Sequence, residues 1–121
     1  MALTMAKIKA MAAAVERARA VARQFAAAAR RHFGKRLKAV RLYGSAARGD
    51  WTKESDIDVL VLLDRVRPKD TDWLIHRAAL LGLHGSGLLL QPLFMTESAF
   101  AKMLARELLF ALEVQREGID L

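Results

Sequence analysis

The sequence contains no cysteine, only two prolines and no apolar run long enough to cross a membrane. The lack of cysteine excludes disulfides and thiolate metal sites, and it is typical of proteins in a reducing cytoplasm. A membrane-spanning helix needs roughly 20 consecutive apolar residues, so we predict no membrane contact. Of the 121 residues, 54% are apolar, which indicates one folded domain rather than a disordered chain.

Charge is distributed unevenly along the chain, which carries a net charge of +7. Residues 1–55 hold 13 basic and 3 acidic side chains, whereas residues 56–121 hold 7 and 10. A basic half can attract nucleotide phosphates, nucleic acid or an acidic protein surface, although a solvated helix face explains most of these side chains. Nucleic acid ranks last, because the basic half lacks interleaved aromatic residues and a helix-turn-helix pattern.

A long amphipathic helix is predicted at the N-terminus, over residues 1–34. No glycine or proline occurs from Thr4, a plausible cap, to Phe33, and Gly34 is a plausible stop. About 30 helical residues span about 45 Å, longer than a domain of this size is wide. Part of the helix must therefore overhang, bend or pack on a partner. Its apolar stripe favours either packing across a sheet or close helix pairing in a dimer or hetero-complex. The stripe consists of Ile8, Met11, Val15, Ala18, Ala22, Phe25, Ala29 and Phe33.

Two aspartates open a strand that is predicted to be buried. Asp56 and Asp58 immediately precede the apolar run Val59–Leu63. Because alternate side chains of a strand point to the same face, the two carboxylates are expected to lie side by side. Mg²⁺ typically takes one or two carboxylates together with substrate phosphates. The spacing therefore predicts a Mg²⁺ site.

A turn of small residues comes before these aspartates. Lys38–Tyr43 is predicted to be a strand that ends at Gly44 and Ser45, and Ala46–Arg48 favours a helical turn. The free N–H groups at the start of a helical turn face an incoming phosphate. A strand, a phosphate-holding turn and a carboxylate strand are the minimum needed to bind a metal–nucleotide complex. The competing interpretation is an ordinary turn followed by two solvated aspartates.

The segment resembles the signature of minimal nucleotidyltransferases of the DNA polymerase β-like superfamily. That signature is Gly-Ser, then Arg-Gly, then Ser-Asp-x-Asp at the start of the next strand. The matching residues are Gly44, Ser45, Arg48, Gly49, Ser55, Asp56 and Asp58. The resemblance covers residues 35–121, which with the N-terminal helix would form one compact unit. It implies an α/β (α+β) nucleotidyltransferase fold, with a small mixed sheet and helices packed mainly on one face.

The resemblance also implies roles for these residues. Gly44, Ser45, Arg48 and Ser55 would bind the nucleotide, ATP or another NTP, while Asp56 and Asp58 would hold Mg²⁺ and carry out catalysis. Active members of the superfamily usually have a third carboxylate on a later strand. Here the predicted strand 87–95 has Gln91 as its only polar side chain, and an amide is neither a carboxylate base nor a good Mg²⁺ ligand.

The function implied is Mg²⁺-dependent transfer of a nucleoside monophosphate, AMP from ATP, to a hydroxyl. Minimal nucleotidyltransferases often work as antitoxins beside a HEPN-type protein in the prokaryotic cytoplasm, and some attach AMP to a tyrosine of that toxin. The alternative is a catalytically impaired binding module, favoured by Gln91. Contacts with a partner, or between copies, are expected through the N-terminal and C-terminal helices.

The remaining predicted elements alternate between helix and strand. They are a helix from about Asp70 to Leu83, a helix-ending turn at Gly82–Gly87, a strand at 87–95 placed at a sheet edge by Pro92, a single helix from about Glu97 to Glu117, and a short terminal strand within Ile119–Leu121.

Overall fold

The computed structural model describes residues 3–121, so residues 1 and 2 of the predicted N-terminal helix lie outside the described part. Over these residues a long helix leads into a four-stranded sheet with shorter helices between the strands. The elements are α1 (Met5–Phe33), β1 (Leu37–Tyr43), α2 (Ser45–Arg48), β2 (Ile57–Leu63), α3 (Pro68–Ala79), β3 (Leu90–Thr96), α4 (Glu97–Ala105), α5 (Leu109–Glu117) and β4 (Ile119–Asp120). Among residues 3–121, no helix is both long and apolar enough to cross a membrane.

The strands form a mixed sheet in the order β3-β2-β1-β4. β1 is antiparallel to β2 and to β4, whereas β2 and β3 are parallel. The apolar run of β2 occupies a central position, as expected for a strand that is buried on both faces. Pro92 lies on the edge strand β3, where a missing N–H costs no ladder hydrogen bond on the open side. The predicted mixed sheet and the edge position of Pro92 are confirmed.

Alternate residues of β2 serve two different faces of the sheet. Ile57, Val59 and Val61 point into the larger core cluster, which is formed with α1 and α3. Leu60 and Leu62 point into a smaller cluster that α4 and α5 cover. Since side chains alternate along a strand, Asp58 belongs to this second, more thinly covered face, next to α5.

Only part of α1 packs on the sheet. From Val15 to Phe33 one side of the helix is buried. Ile8 and Met11 belong to the same apolar stripe, yet each is 46% exposed. The first turns of α1 therefore extend beyond the core, which is the overhang that the length of the helix predicted.

The C-terminal half departs from the predicted single helix over Glu97–Glu117. α4 ends at Ala105, Glu107 adopts a left-handed conformation with a φ of 53°, and α5 starts at Leu109. The turn directs α5 back across the sheet, where Ala111 and Val114 are buried. A left-handed residue other than glycine is uncommon, so no residue type in the sequence marked this break.

The third helix also differs from its predicted bounds. α3 begins at Pro68, two residues before the expected start, and the chain continues as a wider π-helical segment over Leu80–Ser86. Gly87, with a φ of 78°, ends that segment. The glycine-rich stretch therefore terminates a helix, as predicted, but the helical backbone runs further than expected.

A buried ion pair joins the start of β1 to α3. Asp70 is only 4% exposed. Its two carboxylate oxygens accept hydrogen bonds of 3.0 and 2.6 Å from the Arg36 guanidinium, and one also accepts from the Arg67 backbone N–H at 2.7 Å. The hydrogen bonds from Arg36 lower the pKa of Asp70 below its ordinary value.

We predict that Asp70→Asn lowers the midpoint of thermal unfolding at pH 7 by roughly 5 °C, because one partner of a buried pair is removed. The folded-state pKa of Asp70 lies below its unfolded value. Its contribution to stability is therefore present above the unfolded pKa and is lost as pH falls through the folded pKa. The difference in unfolding midpoint from wild type should shrink at strongly acidic pH.

Thermal unfolding followed by circular dichroism checks this prediction, with the exposed Asp72→Asn as control. Equal losses of stability in the two variants would contradict it.

Candidate functional site

A cavity of about 320 Å³ opens on the α5 side of the sheet, between the end of β1 and the start of β2. The residues that line it are Tyr43, Gly44, Ser45, Arg48, Asp56, Asp58, Phe110, Glu113 and Glu117. The fold thus brings together five of the six predicted site residues, all but Ser55. They come from the end of one strand, the turn after it and the start of the neighbouring strand.

The turn at Gly44 lies directly against Asp58. β1 and β2 pair so that Tyr43 is opposite Asp58, and Gly44 follows with a φ of 74°. A Cβ at position 44 would lie 2.5 Å from the Asp58 Oδ2. Glycine is therefore required here for two reasons, its backbone conformation and the close approach of the carboxylate.

The carboxylates of Asp56 and Asp58 lie close enough to repel each other. Burial of Asp58 raises its pKa, the nearby Asp56 carboxylate raises it further, and Arg48 lowers it. Burial and the Asp58 charge likewise raise the pKa of Tyr43 to about 12. A cation between the two carboxylates would relieve this repulsion, and their oxygens are the donors that Mg²⁺ prefers.

The donor set fits a metal that is completed by its substrate. Within residues 3–121 no group of three or more histidine, aspartate or glutamate side chains is arranged to hold a metal ion. Two carboxylates alone leave several coordination positions for phosphate oxygens and water, which is the usual arrangement for Mg²⁺ at nucleotide sites.

Ser55 does not line the cavity. Its hydroxyl lies 3.3 Å from both the backbone nitrogen and the hydroxyl of Thr52, and its own N–H donates to the Thr52 carbonyl at 2.8 Å. In this structure Ser55 shapes the loop that leads to Asp56. Trp51, in the same loop, is 2% exposed and belongs to the main core, so its ring packs under the loop and does not face the cavity.

The wall that α5 contributes to the cavity was not predicted from the sequence. Phe110, Glu113 and Glu117 line the cavity, and their spacing of three and four residues places them on one face of α5. The Phe110 ring meets the Tyr43 ring edge-on, with centroids 5.4 Å apart. The spacing was visible in the sequence, but its direction depends on the break between α4 and α5.

Arg48 is held between two carboxylates. Its Nε lies 3.6 Å from Asp50 Oδ2 and its Nη1 lies 3.6 Å from Glu117 Oε2. The side chain of Arg48 remains 46% exposed, so the guanidinium stands at the mouth of the cavity. This geometry links α2 to α5 across the opening.

Arg19 of α1 holds α2 from the opposite side. Its Nε donates to the Ala46 carbonyl at 2.9 Å and its Nη2 donates to the Ala47 carbonyl at 3.1 Å. These bonds satisfy carbonyl oxygens of a helix too short to satisfy them itself. Arg19 is therefore a positioning residue for the Gly44 turn.

Gln91 stands beside Asp58 on the neighbouring strand. The two residues are register partners in the parallel β2–β3 pair, so their Cα atoms are about 4.8 Å apart and their side chains share a face. The amide thus occupies the strand position next to the carboxylates, although it does not itself line the cavity.

The match of a known family covers most of this architecture. The nucleotidyltransferase domain family matches residues 22–114. The chain belongs to this family. The match includes α1 from residue 22 onward, both aspartates, and α5 as far as Val114, with Phe110 and Glu113 of the cavity wall.

One relative and one solved structure of similar fold accompany this match. A protein of Methanocaldococcus jannaschii, named as a putative protein adenylyltransferase, is 35% identical over 80 residues, which cover 66% of this chain and 75% of that protein. One chain in the crystal structure of a mutant of the toxin–antitoxin pair MntA–HpeT resembles this chain with a TM-score of 0.53 and 19% identity, over 82% of this chain and 70% of that one. The predictions of a minimal nucleotidyltransferase and of an α/β fold with a small mixed sheet and a long N-terminal helix are confirmed. The helices cover both faces of the sheet rather than mainly one, with α1 and α3 on one face and α4 and α5 on the other.

We predict that Arg19→Met speeds amide hydrogen exchange in residues 45–49 severalfold, because the carbonyl oxygens of α2 lose their charged donor. Exchange followed by mass spectrometry checks this. Arg23→Met is the matched control, since its ion pair is with Glu16 of the same helix. Unchanged exchange at α2 in Arg19→Met would contradict the positioning role.

Proposed function

We propose that the chain transfers AMP from ATP to a hydroxyl of a partner protein, with Mg²⁺ bound at Asp56 and Asp58. The observation that carries the proposal is the contact between Gly44 and Asp58. It sets the tight turn directly against the Asp58 carboxylate, since a Cβ at position 44 would lie 2.5 Å from the Asp58 Oδ2.

The residues around the cavity suggest how the nucleotide is held. Asp56 and Asp58 supply oxygen ligands, and Ser45 and Arg48 supply a hydroxyl and a guanidinium for phosphate oxygens. Mg²⁺, when bound, neutralises charge on the triphosphate. Ser55 then acts through the loop that it shapes rather than by direct contact.

The transfer itself is an in-line displacement at the α-phosphorus. A bond forms between the acceptor oxygen and the α-phosphorus, the bond from that phosphorus to the bridging oxygen breaks, and pyrophosphate leaves with the electron pair. The proton of the hydroxyl must go to a base. Gln91 cannot accept it, so the proton passes to water or to a carboxylate that lines the cavity.

Several features support a protein as the acceptor. The relative from Methanocaldococcus jannaschii is named as a protein adenylyltransferase, and the structural neighbour is a toxin–antitoxin pair. The overhang of α1 exposes Met5, Ile8 and Met11, and Leu109 of α5 is 70% exposed. These apolar side chains give a helical partner of the HEPN type a surface on both the N-terminal and C-terminal helices.

We predict that Asp56→Ala with Asp58→Ala abolishes binding of a non-hydrolysable ATP analogue in the presence of Mg²⁺, because the metal loses both ligands. Calorimetric titration measures the binding. Glu16→Ala with Asp72→Ala, which removes two exposed carboxylates elsewhere, should bind like wild type. Equal affinity of wild type and the site variant would refute the assignment.

Transfer itself is tested with ATP labelled at the α-phosphate. The wild-type chain is incubated with a candidate partner protein of the HEPN type, and label is sought on that protein. Label that requires Mg²⁺ and disappears with Asp56→Ala and Asp58→Ala supports transfer. Tight partner binding without label favours the second candidate, a binding module that has lost turnover, which Gln91 beside Asp58 supports.

We predict that Gln91→Asp tightens Mn²⁺ binding roughly tenfold, because a third carboxylate then stands next to Asp58. Mn²⁺ serves as the probe because electron paramagnetic resonance measures its free concentration. Gln24→Asp on the exposed side of α1 is the control. If the affinities of the two variants for Mn²⁺ are the same, the side chain at position 91 does not reach the metal site.

A further inference from the structure

The cavity of this nucleotidyltransferase has an unexpected charge for a site that binds a triphosphate. Four carboxylates line it, those of Asp56, Asp58, Glu113 and Glu117, against one guanidinium, that of Arg48. Two of the four face the metal in the proposed function. The two glutamates of α5 hold neither the metal nor the nucleotide in it, and each adds a negative charge where phosphates are to bind.

Glu117 differs from Glu113 in what it contacts. Its Oε2 lies 3.6 Å from Arg48 Nη1, while its Oε1 lies 3.5 Å from Arg116 Nη2. Glu113 lines the same wall one turn earlier but makes no ion pair with Arg48 in the described structure. Together with Asp50, which lies outside the cavity lining, Glu117 thus holds Arg48, the one cationic side chain among the described lining residues.

We propose that Glu117 makes the cavity select the metal complex of ATP over metal-free ATP, an inference that rests on the proposed function. A phosphate that binds Arg48 must either displace the Glu117 carboxylate from the guanidinium or lie beside that carboxylate and be repelled by it. Metal-free ATP carries about twice the negative charge of its Mg²⁺ complex, so it meets about twice the repulsion. Glu117 is therefore a specificity-determining residue for the form of the nucleotide.

The ion pair itself contributes little to folding. The side chains of Arg48 and Glu117 are 46% and 29% exposed, and pairs of this kind stabilise proteins weakly because water screens them. The effect of replacing Glu117 on nucleotide binding is therefore separable from its effect on stability, and Glu117→Gln is expected to fold like wild type.

The test is the affinity of the full chain for ATP, measured by calorimetry in EDTA and in excess Mg²⁺. We expect Glu117→Gln to bind metal-free ATP about tenfold more tightly than wild type and Mg·ATP about threefold more tightly. The preference for the metal complex would then fall about threefold. Glu113→Gln removes the same charge from the same wall without touching Arg48, so we expect a smaller change.

A double-mutant cycle isolates the contact with Arg48. In an Arg48→Met background, Glu117→Gln should have no more effect than Glu113→Gln, since the guanidinium that it would release is absent. If wild type binds Mg·ATP and Glu117→Gln leaves the preference for Mg·ATP over metal-free ATP unchanged, the inference is overturned. It is also overturned if Glu117→Gln weakens Mg·ATP binding, as it would if Glu117 were a metal ligand or supported the site. If wild type does not bind Mg·ATP at all, the proposed function fails and the inference with it.

Discussion

The close contact between Gly44 and Asp58 is the constraint on which the candidate site depends. It follows from the register of β1 and β2, which puts Tyr43 opposite Asp58 and forces the chain to leave the sheet at the next residue. A side chain there would push either the turn or the carboxylate away. The turn and the aspartates are therefore fixed relative to each other by a sheet with a packed core on both faces, not by a mobile loop.

The parts of the fold that were predictable are those with local signals. The apolar run Val59–Leu63, the small residues at Gly44 and Ser45, and the two-residue spacing of the aspartates each specify backbone or burial over a few residues. The length of α1 predicted that part of it would overhang, bend or pack on a partner, and the structure shows the overhang. The break at Glu107 had no such signal, because burial of Ala111 and Val114 against the sheet stabilises a conformation that the residue itself disfavours.

Two arginines whose roles were not predicted act on elements distant in the sequence, although neither lines the cavity. Arg19 bonds to a carbonyl 27 residues away, and Arg36 pairs with a carboxylate 34 residues away. In the sequence both belong to a basic half in which most side chains are solvated, and no spacing rule separates them from their neighbours. Only the packing of α1 and β1 against later elements gives them distinct roles.

The chain has a net positive charge, whereas the described lining of its cavity is mainly negative. The basic half of the chain therefore does not by itself explain how a nucleotide would enter the cavity. With a net charge of +7 the protein attracts anions at long range. At the cavity, however, carboxylates outnumber the single guanidinium, and local charges dominate once a ligand is within a Debye length of about 8 to 10 Å. Attraction by the whole chain thus brings a nucleotide close to the protein, but it does not favour entry of the bare triphosphate. Under the proposed function a cation must accompany the phosphates, and the carboxylates of Asp56 and Asp58 are the place proposed for that cation.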